Sequence, residues 1–141
     1  MRLFLDTSVL LAACASANGA SREIFRVAEV NHWVLVATPY VVNEVLRNLP
    51  DFPVAASGDW VRLRSEILVM DDVLTLNRPV VFPVPKDRPV LFSALAWADA
   101  LITLDRGDFA TLLGTSFYGL AVLRPGQWLE RERSAGRLIE P

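Results

Sequence analysis

Short apolar runs alternate with amphipathic segments along most of the chain. Runs rich in β-branched and large apolar residues, bounded by turn formers, predict strands at 2–5, 33–37, 100–104 and 120–123. Helix signals separate them and predict helices over 8–16, 22–30, 39–48 and 87–97, with a last helix beginning near residue 126. Alternation of this kind indicates an α/β fold with a parallel sheet and right-handed crossovers.

Helix starts give the clearest local signals. Thr38 followed by Pro39 is an N-cap with proline in the first helical position, and Asp87 precedes a second such start. Thr7 or Ser8 is expected to cap the first helix. Capping residues therefore predict the N-terminal boundaries of three of the helices.

Residues 50–86 show no long, clean period and contain several prolines. Residues 61–68 are compatible with a helix, and residues 68–70 are compatible instead with a strand. No linker or internal repeat divides the chain, so a single domain over 1–130 followed by a charged tail over 131–141 is predicted.

Composition narrows the class of protein. Of the 141 residues, 52% are hydrophobic, yet no apolar stretch reaches the length of a membrane span. The first Asp, at position 6, comes too early for a secretory signal, and one cysteine excludes an internal disulfide, so a cytoplasmic protein is expected. The apolar excess predicts a homodimer or a partner. A net charge of −2 argues against a general polyanion-binding surface.

Two predicted strands end in a carboxylate. Asp6 closes the run 2–5, and Asp105 closes the run 100–104. Ligands of open α/β sheets collect at the carboxyl ends of the strands, so both carboxylates are expected at one crevice. Carboxylates brought close together repel each other, which calls for a divalent cation.

Two more acids lie where such a site needs them, and each acid has a second interpretation. Glu44 belongs to a helix that is otherwise apolar, where a carboxylate requires a partner. Asp87 stands at a helix start, and like Asp6 it is also explained as an N-cap. The pair 71–72 is the rival for the third acid. Thr103 is interpreted equally well as an ordinary strand residue or as a donor to a carboxylate.

Four motifs in order resemble the PIN domain family over residues 2 to about 125. They are Leu5–Leu10, Val42–Val45, Lys86–Pro89 and Ile102–Phe109. The resemblance implies a flavodoxin-like three-layer α/β/α sandwich with a central, mostly parallel sheet. It also implies cleavage of RNA by an acidic cluster that uses Mg²⁺ or Mn²⁺. The family includes toxins of type II toxin–antitoxin pairs, so an antitoxin protein is a possible partner.

The family's acidic positions transfer to this chain residue by residue. The implied catalytic residues are Asp6, Glu44, Asp87 and Asp105, and the implied metal ligands are Asp6, Asp87, Asp105 and Asp108. One departure is Ser8, where the family usually has Asn; a hydroxyl can still orient a carboxylate or a water.

Other functions remain to be compared with this hypothesis. The alternative within the fold is a catalytically silent module that binds RNA or protein. A phosphatase of the haloacid dehalogenase type needs an Asp two residues after the first one, where this chain has Ser8. The single histidine, His32, is predicted to lie away from the acids, which argues against hydrolysis by a catalytic triad.

Overall fold

A central β-sheet with helices before and after its strands organises the protein. The computed structural model describes residues 1–76, 82, 85–105, 107, 109 and 111–141. Its strands are β1 Arg2–Leu5, β2 Val34–Ala37, β3 Ile67–Val69, β4 Ala100–Ile102, β5 Thr115–Phe117 and β6 Leu120–Leu123. Its helices are α1 Thr7–Ala15, α2 Ala20–Ala28, α3 Pro39–Asn48, α4 Val54–Arg64, α5 Arg88–Trp97 and α6 Pro125–Ser134.

The strands of the described residues pair in the order β3-β2-β1-β4-β6-β5. All neighbours are parallel except β5, which runs antiparallel to β6. The chain moves outward from β1 to β3, then returns to the other side of β1 as β4 and β6. The order therefore reverses between β1 and β4, which is where open α/β sheets bind ligands.

Both faces of the sheet are covered. Successive side chains of a strand point to opposite faces, yet Leu3, Phe4 and Leu5 of β1 are all fully buried. Helix α5 contacts β1 and β4, while α1 packs against α2, α3 and α4. Because parallel crossovers are right-handed, the reversal of strand order places α5 on the face opposite α1 to α4. The predicted mostly parallel α/β sheet with helices on both faces is confirmed.

The unpatterned middle of the chain contains both a helix and a strand. Trp60 and Leu63 bury one side of α4, and Ile67 anchors β3 at the edge of the sheet. The prediction of a strand near residues 68–70 is thus confirmed with a shift of one residue, and the single helix over 61–68 is wrong. Each helix has 9 to 11 residues, and within the described ranges none is long and apolar enough to cross a bilayer.

The C-terminal segment folds back onto α2 rather than leaving the domain. Helix α6 passes through position 130 and ends at Ser134. Beyond it, the Ile139 N–H donates to Asn31 Oδ1, and Asn31 Nδ2 donates to the Ile139 carbonyl, both at 2.8 Å. The residues predicted as a charged tail over 131–141 are mostly exposed, but the first four continue α6 and Ile139 is hydrogen-bonded to Asn31.

Candidate functional site

Asp6 lies at the point where β1 becomes α1. Its backbone N–H continues the parallel ladder by donating to the Ile102 carbonyl at 3.0 Å. Its Oδ1 accepts from the Thr7 N–H at 2.8 Å, which makes Asp6 the N-cap of α1. The prediction that Thr7 or Ser8 caps this helix is wrong, because the carboxylate one residue earlier takes the position.

The second oxygen of Asp6 is held by Thr103. The Thr103 hydroxyl donates to Asp6 Oδ2 at 2.8 Å and accepts from the Asp105 N–H at 3.0 Å. Thr103 is fully buried. Of its two interpretations from the sequence, the donor to a carboxylate is confirmed, and one hydroxyl fixes the side chain of Asp6 relative to the backbone of Asp105.

The loop after β4 is tied to α1 and to itself. The Leu104 N–H donates to Ser8 Oγ at 3.1 Å, so the hydroxyl in place of the family's usual Asn holds the two strand ends together. Asp105 Oδ1 accepts from the Gly107 N–H at 2.8 Å, which closes a tight turn. These bonds set the position of Asp105 beside Asp6.

The four predicted catalytic acids line one crevice of about 320 Å³ at the carboxyl end of the sheet. Asp6 and Asp105 come from β1 and from the loop after β4, Glu44 from α3, and Asp87 from the N-cap position of α5. Thr7, Ser8, Leu11, Asn48 and Val90 complete the lining. The structure thus brings together the residues chosen from the sequence, and their catalytic and metal-binding roles stay predictions. Asp108, the further metal ligand expected, lies outside the described residues.

The charge of Asp6 is disfavoured in this crevice. Burial raises the pKa of its carboxyl from 3.8 to about 6, the negative charges of Glu44 and Asp105 act in the same direction, and the hydrogen bonds from Thr103 and Thr7 oppose it. A carboxylate whose pKa is raised by burial, in a crevice that it shares with other carboxylates, marks a place where a positive charge would be stabilised.

Tyr40 and Asn48 were missed by the sequence reasoning. They lie four residues before and four residues after Glu44, so all three share one side of α3. Burial and then the charges of Glu44 and Asp87 raise the pKa of the Tyr40 hydroxyl. Asn48 Nδ2 donates to the Glu44 carbonyl at 2.7 Å. The spacing around Glu44 was the signal that could have found both residues.

The rival acids have structural roles. Asp72 Oδ2 accepts from the Tyr40 N–H at 3.1 Å, so Asp72 satisfies the first turn of α3. Asp99, a further acid just before β4, accepts from the Arg2 N–H through its Oδ2 at 2.8 Å. Neither Asp71 nor Asp72 lines the acidic crevice.

Two arginines that flank the acids in sequence, Arg88 and Arg106, are candidates for binding phosphates, and His32 is the single histidine. Arg88 Nε donates to the Phe82 carbonyl at 2.9 Å, and Arg106 lies outside the described residues. His32 precedes β2, at the edge of the sheet opposite the crevice. It is therefore remote from the acids, as predicted.

The crevice fits a hydrated divalent ion in charge and in chemistry. Its titratable side chains are carboxylates, which are the ligands that Mg²⁺ and Mn²⁺ prefer. Within the ranges that the structure describes, no three acids stand at positions where all of them would ligate one ion directly. Mg²⁺ is commonly held by one or two carboxylates and keeps several waters, which suits this spacing. Asp6 and Asp105 are linked through the Thr103 hydroxyl.

Comparisons with known proteins agree with the geometry. The family model of the PIN domain matches residues 2–107, which include all of the acids at the crevice. No curated protein matches the chain. The match covers well over half of the sequence and contains strands β1 to β4, which build the site. The chain belongs to the PIN domain family, whose members are typically nucleases.

Proposed function

We propose that this protein is a Mg²⁺- or Mn²⁺-dependent endoribonuclease that acts in the cytoplasm. The observation that supports the proposal is the convergence of four acids from four separate elements on one crevice. Capping explains the carboxylate of Asp6 locally, whereas the side chain of Asp87 makes no cap hydrogen bond with α5. Capping also does not explain why Glu44 and Asp105 face the same space. A buried concentration of negative charge weakens the fold unless a ligand uses it.

The same charge excludes an RNA phosphate from the empty crevice. Both the substrate and the acids are anionic, so they repel unless a cation lies between them. A bound divalent ion would supply that charge, stabilise the phosphodiester under attack and lower the pKa of a coordinated water. A cation would thus allow the acidic crevice to bind an anionic substrate such as RNA.

Different roles are proposed for the four acids. Asp6, Asp87 and Asp105 would hold the ion, in part through its coordinated waters, with Asp108 as a further ligand. Glu44, on the α3 side of the crevice, would orient the attacking water and accept its proton. Thr103 is a positioning residue, since its hydroxyl joins Asp6 to the loop that holds Asp105.

The wild-type protein is expected to cleave an unstructured RNA when Mg²⁺ or Mn²⁺ is present and to lose the activity in EDTA. Cleavage of an end-labelled RNA, resolved on a denaturing gel, measures this. Isothermal titration should show metal binding that weakens strongly in the Asp105→Asn variant. Equal cleavage in EDTA would contradict the proposal. RNA or protein binding without cleavage under any metal condition would favour the silent module instead.

A protein partner is proposed alongside the RNA substrate. Val54 and Val61 on α4 are 91% and 73% exposed, and exposed apolar side chains of this kind favour contact with another protein. We propose that a second copy of the chain or an antitoxin protein covers these side chains, the latter if the protein is the toxin of a two-gene module.

Light scattering at tens of micromolar is expected to give the mass of a homodimer. A homodimer is expected because it would bury the exposed valines of α4. A charge at this surface should oppose that burial, so Val61→Glu is expected to shift the protein toward the monomer. A monomeric wild-type protein that also fails to co-purify with the product of the neighbouring reading frame would contradict both partners.

A further inference from the structure

A second groove lies beside the acidic crevice on the same helix. It has a volume of about 570 Å³ and is lined by Tyr40, Asn43, Leu46 and Arg47. Helix geometry sets the two sites next to each other, because Tyr40 and Arg47 flank Glu44 by one turn on either side. The groove and the crevice are therefore adjacent on α3.

The groove combines three kinds of side chain that bind nucleotides. Tyr40 is half-buried and offers an aromatic ring, Asn43 an amide, and Arg47 a guanidinium. Aromatic rings stack on bases, amides bond base edges, and guanidinium groups bind phosphates. All three come from two turns of one helix, so their spacing is fixed by the backbone.

Tyr40 is anchored on both ends. Its backbone N–H donates to Asp72 Oδ2 at 3.1 Å, and its hydroxyl donates to the Lys86 carbonyl at 3.4 Å. The hydroxyl is near enough to Glu44 and Asp87 for their charges to raise its pKa. The ring thus extends from the groove to the edge of the acidic crevice.

Arg47 is a cation with no protein counter-ion in the described part of the chain. Five of the other described arginines pair with acids: Arg22 and Arg62 with Asp59, Arg26 with Glu23, Arg133 with Glu130 and Arg137 with Glu132. Arg88 instead donates to the Phe82 carbonyl, and Arg131 lies over the Trp128 ring. Arg47 makes no such pair among the described residues and is exposed in the groove. The Arg47 guanidinium is therefore available to bind an anionic ligand that extends from the groove to the acidic crevice.

We propose that the Tyr40–Asn43–Arg47 groove is the subsite that holds a nucleotide of single-stranded RNA next to the scissile phosphate. The inference rests on the proposed nuclease function and names its substrate class. A base stacks on Tyr40, Asn43 bonds its edge, and Arg47 binds a flanking phosphate. Double-stranded RNA is excluded, because its bases stay stacked on each other and leave no face for the ring.

Binding to a fluorescein-labelled oligoribonucleotide tests the subsite, measured by anisotropy with Mg²⁺ in the Glu44→Gln protein, which keeps the proposed metal ligands and is expected to cleave slowly. Adding Tyr40→Ala is expected to weaken binding by about 5- to 100-fold, and Tyr40→Phe is expected to keep it, since the ring remains. Arg47→Gln should lower the slope of log affinity against log salt by about 0.7. Tyr118→Ala and Arg62→Gln, which remove a ring and a charge outside both sites, are the matched controls.

Cleavage measured with the otherwise wild-type protein separates failure of the subsite from failure of the function. If Tyr40→Ala and Arg47→Gln bind RNA like their parent while the wild-type protein cleaves it, the subsite is overturned and the nuclease stands. If the wild-type protein does not cleave but the variants lose RNA binding, the subsite stands and the nuclease is wrong. If Tyr40→Ala does not fold, photocrosslinking of a 5-iodouridine RNA to the Glu44→Gln protein, in which Tyr40 is intact, tests the subsite instead. A crosslink on Tyr40 supports the subsite, and crosslinks only at other residues overturn it.

Discussion

Replacing Asp6 by Asn is expected to abolish RNA cleavage while raising the thermal stability of the metal-free protein. Turnover should fall by more than about 10²-fold, because a metal ligand that helps to stabilise several kcal/mol of charge is lost. Stability should rise because Asn is as good an N-cap as Asp. The amide therefore keeps the bond from the Thr7 N–H without burying a charge.

The stability gain depends on pH in a direction set by the pKa shift. The Asp6 pKa is about 6 in the folded protein, above its ordinary value of 3.8, so the folded state binds the proton more tightly than the unfolded state. The wild-type protein therefore loses stability as the pH rises from 3.8 to about 6, and the loss is complete above that range. A shift of this size corresponds to about 3 kcal/mol.

Thermal denaturation in EDTA checks the expectation. The Tm of Asp6→Asn should exceed that of the wild-type protein at about pH 8, and the two should converge as the pH approaches about 4. Asp51→Asn, an exposed acid outside the crevice, is the control and should show no such convergence. A Tm difference that does not change with pH, or a variant less stable at every pH, would contradict the burial of a disfavoured charge at Asp6.

The acids could be predicted from the sequence because short-range rules fix them. Asp6 and Asp105 each end an apolar run, and parallel strands bring their carboxyl ends to one edge whatever the connections between them are. Asp87 precedes a recognisable helix start. Glu44 was predicted differently, from its position among the apolar residues of a helix, where a carboxylate requires a partner.

The hydrogen bonds that hold the elements of the site in place could not be predicted, because they join residues far apart in the sequence. Nothing in the sequence near Asp72 indicates that it satisfies the first turn of α3, since the bond to Tyr40 joins positions 32 apart. The bond from Leu104 to Ser8 joins positions 96 apart. Contacts of this kind follow from the tertiary arrangement and not from local propensity.

Strand β5 was missed for a different reason. It has only three residues, two of them exposed and polar, so it lacks the apolar pattern that indicates a strand. Its signal was the turn that follows, where Tyr118 and Gly119 both have positive φ, 49° and 86°. Glycine adopts that conformation freely, and such a turn joins antiparallel strands. A turn signal without an apolar strand before it was too weak to predict a hairpin.

Glu44→Gln is expected to lower turnover by about 10²-fold or more, the size of a lost general base. Glutamine has the same shape, and the Glu44 carbonyl that accepts from Asn48 is unchanged, so α3 should stay folded. A loss of turnover with an unchanged Tm would then reflect the missing charge alone. Single-turnover cleavage at saturating Mg²⁺ is the measurement, and Glu29→Gln, an exposed acid on the surface near α2, is the control.

The pH profile gives this prediction a second readout that a structural role would not produce. The charge of Glu44 is one of the causes that raise the Asp6 pKa to about 6, so its removal should lower that pKa. The acid limb of the residual activity in Glu44→Gln should therefore move to lower pH than in the wild-type protein. Wild-type turnover in Glu44→Gln would remove this residue from the catalytic site and leave the nuclease proposal on Asp6, Asp87 and Asp105. If turnover falls but the acid limb does not move, Glu44 does not influence the Asp6 pKa, and its contribution to catalysis is through the RNA substrate instead.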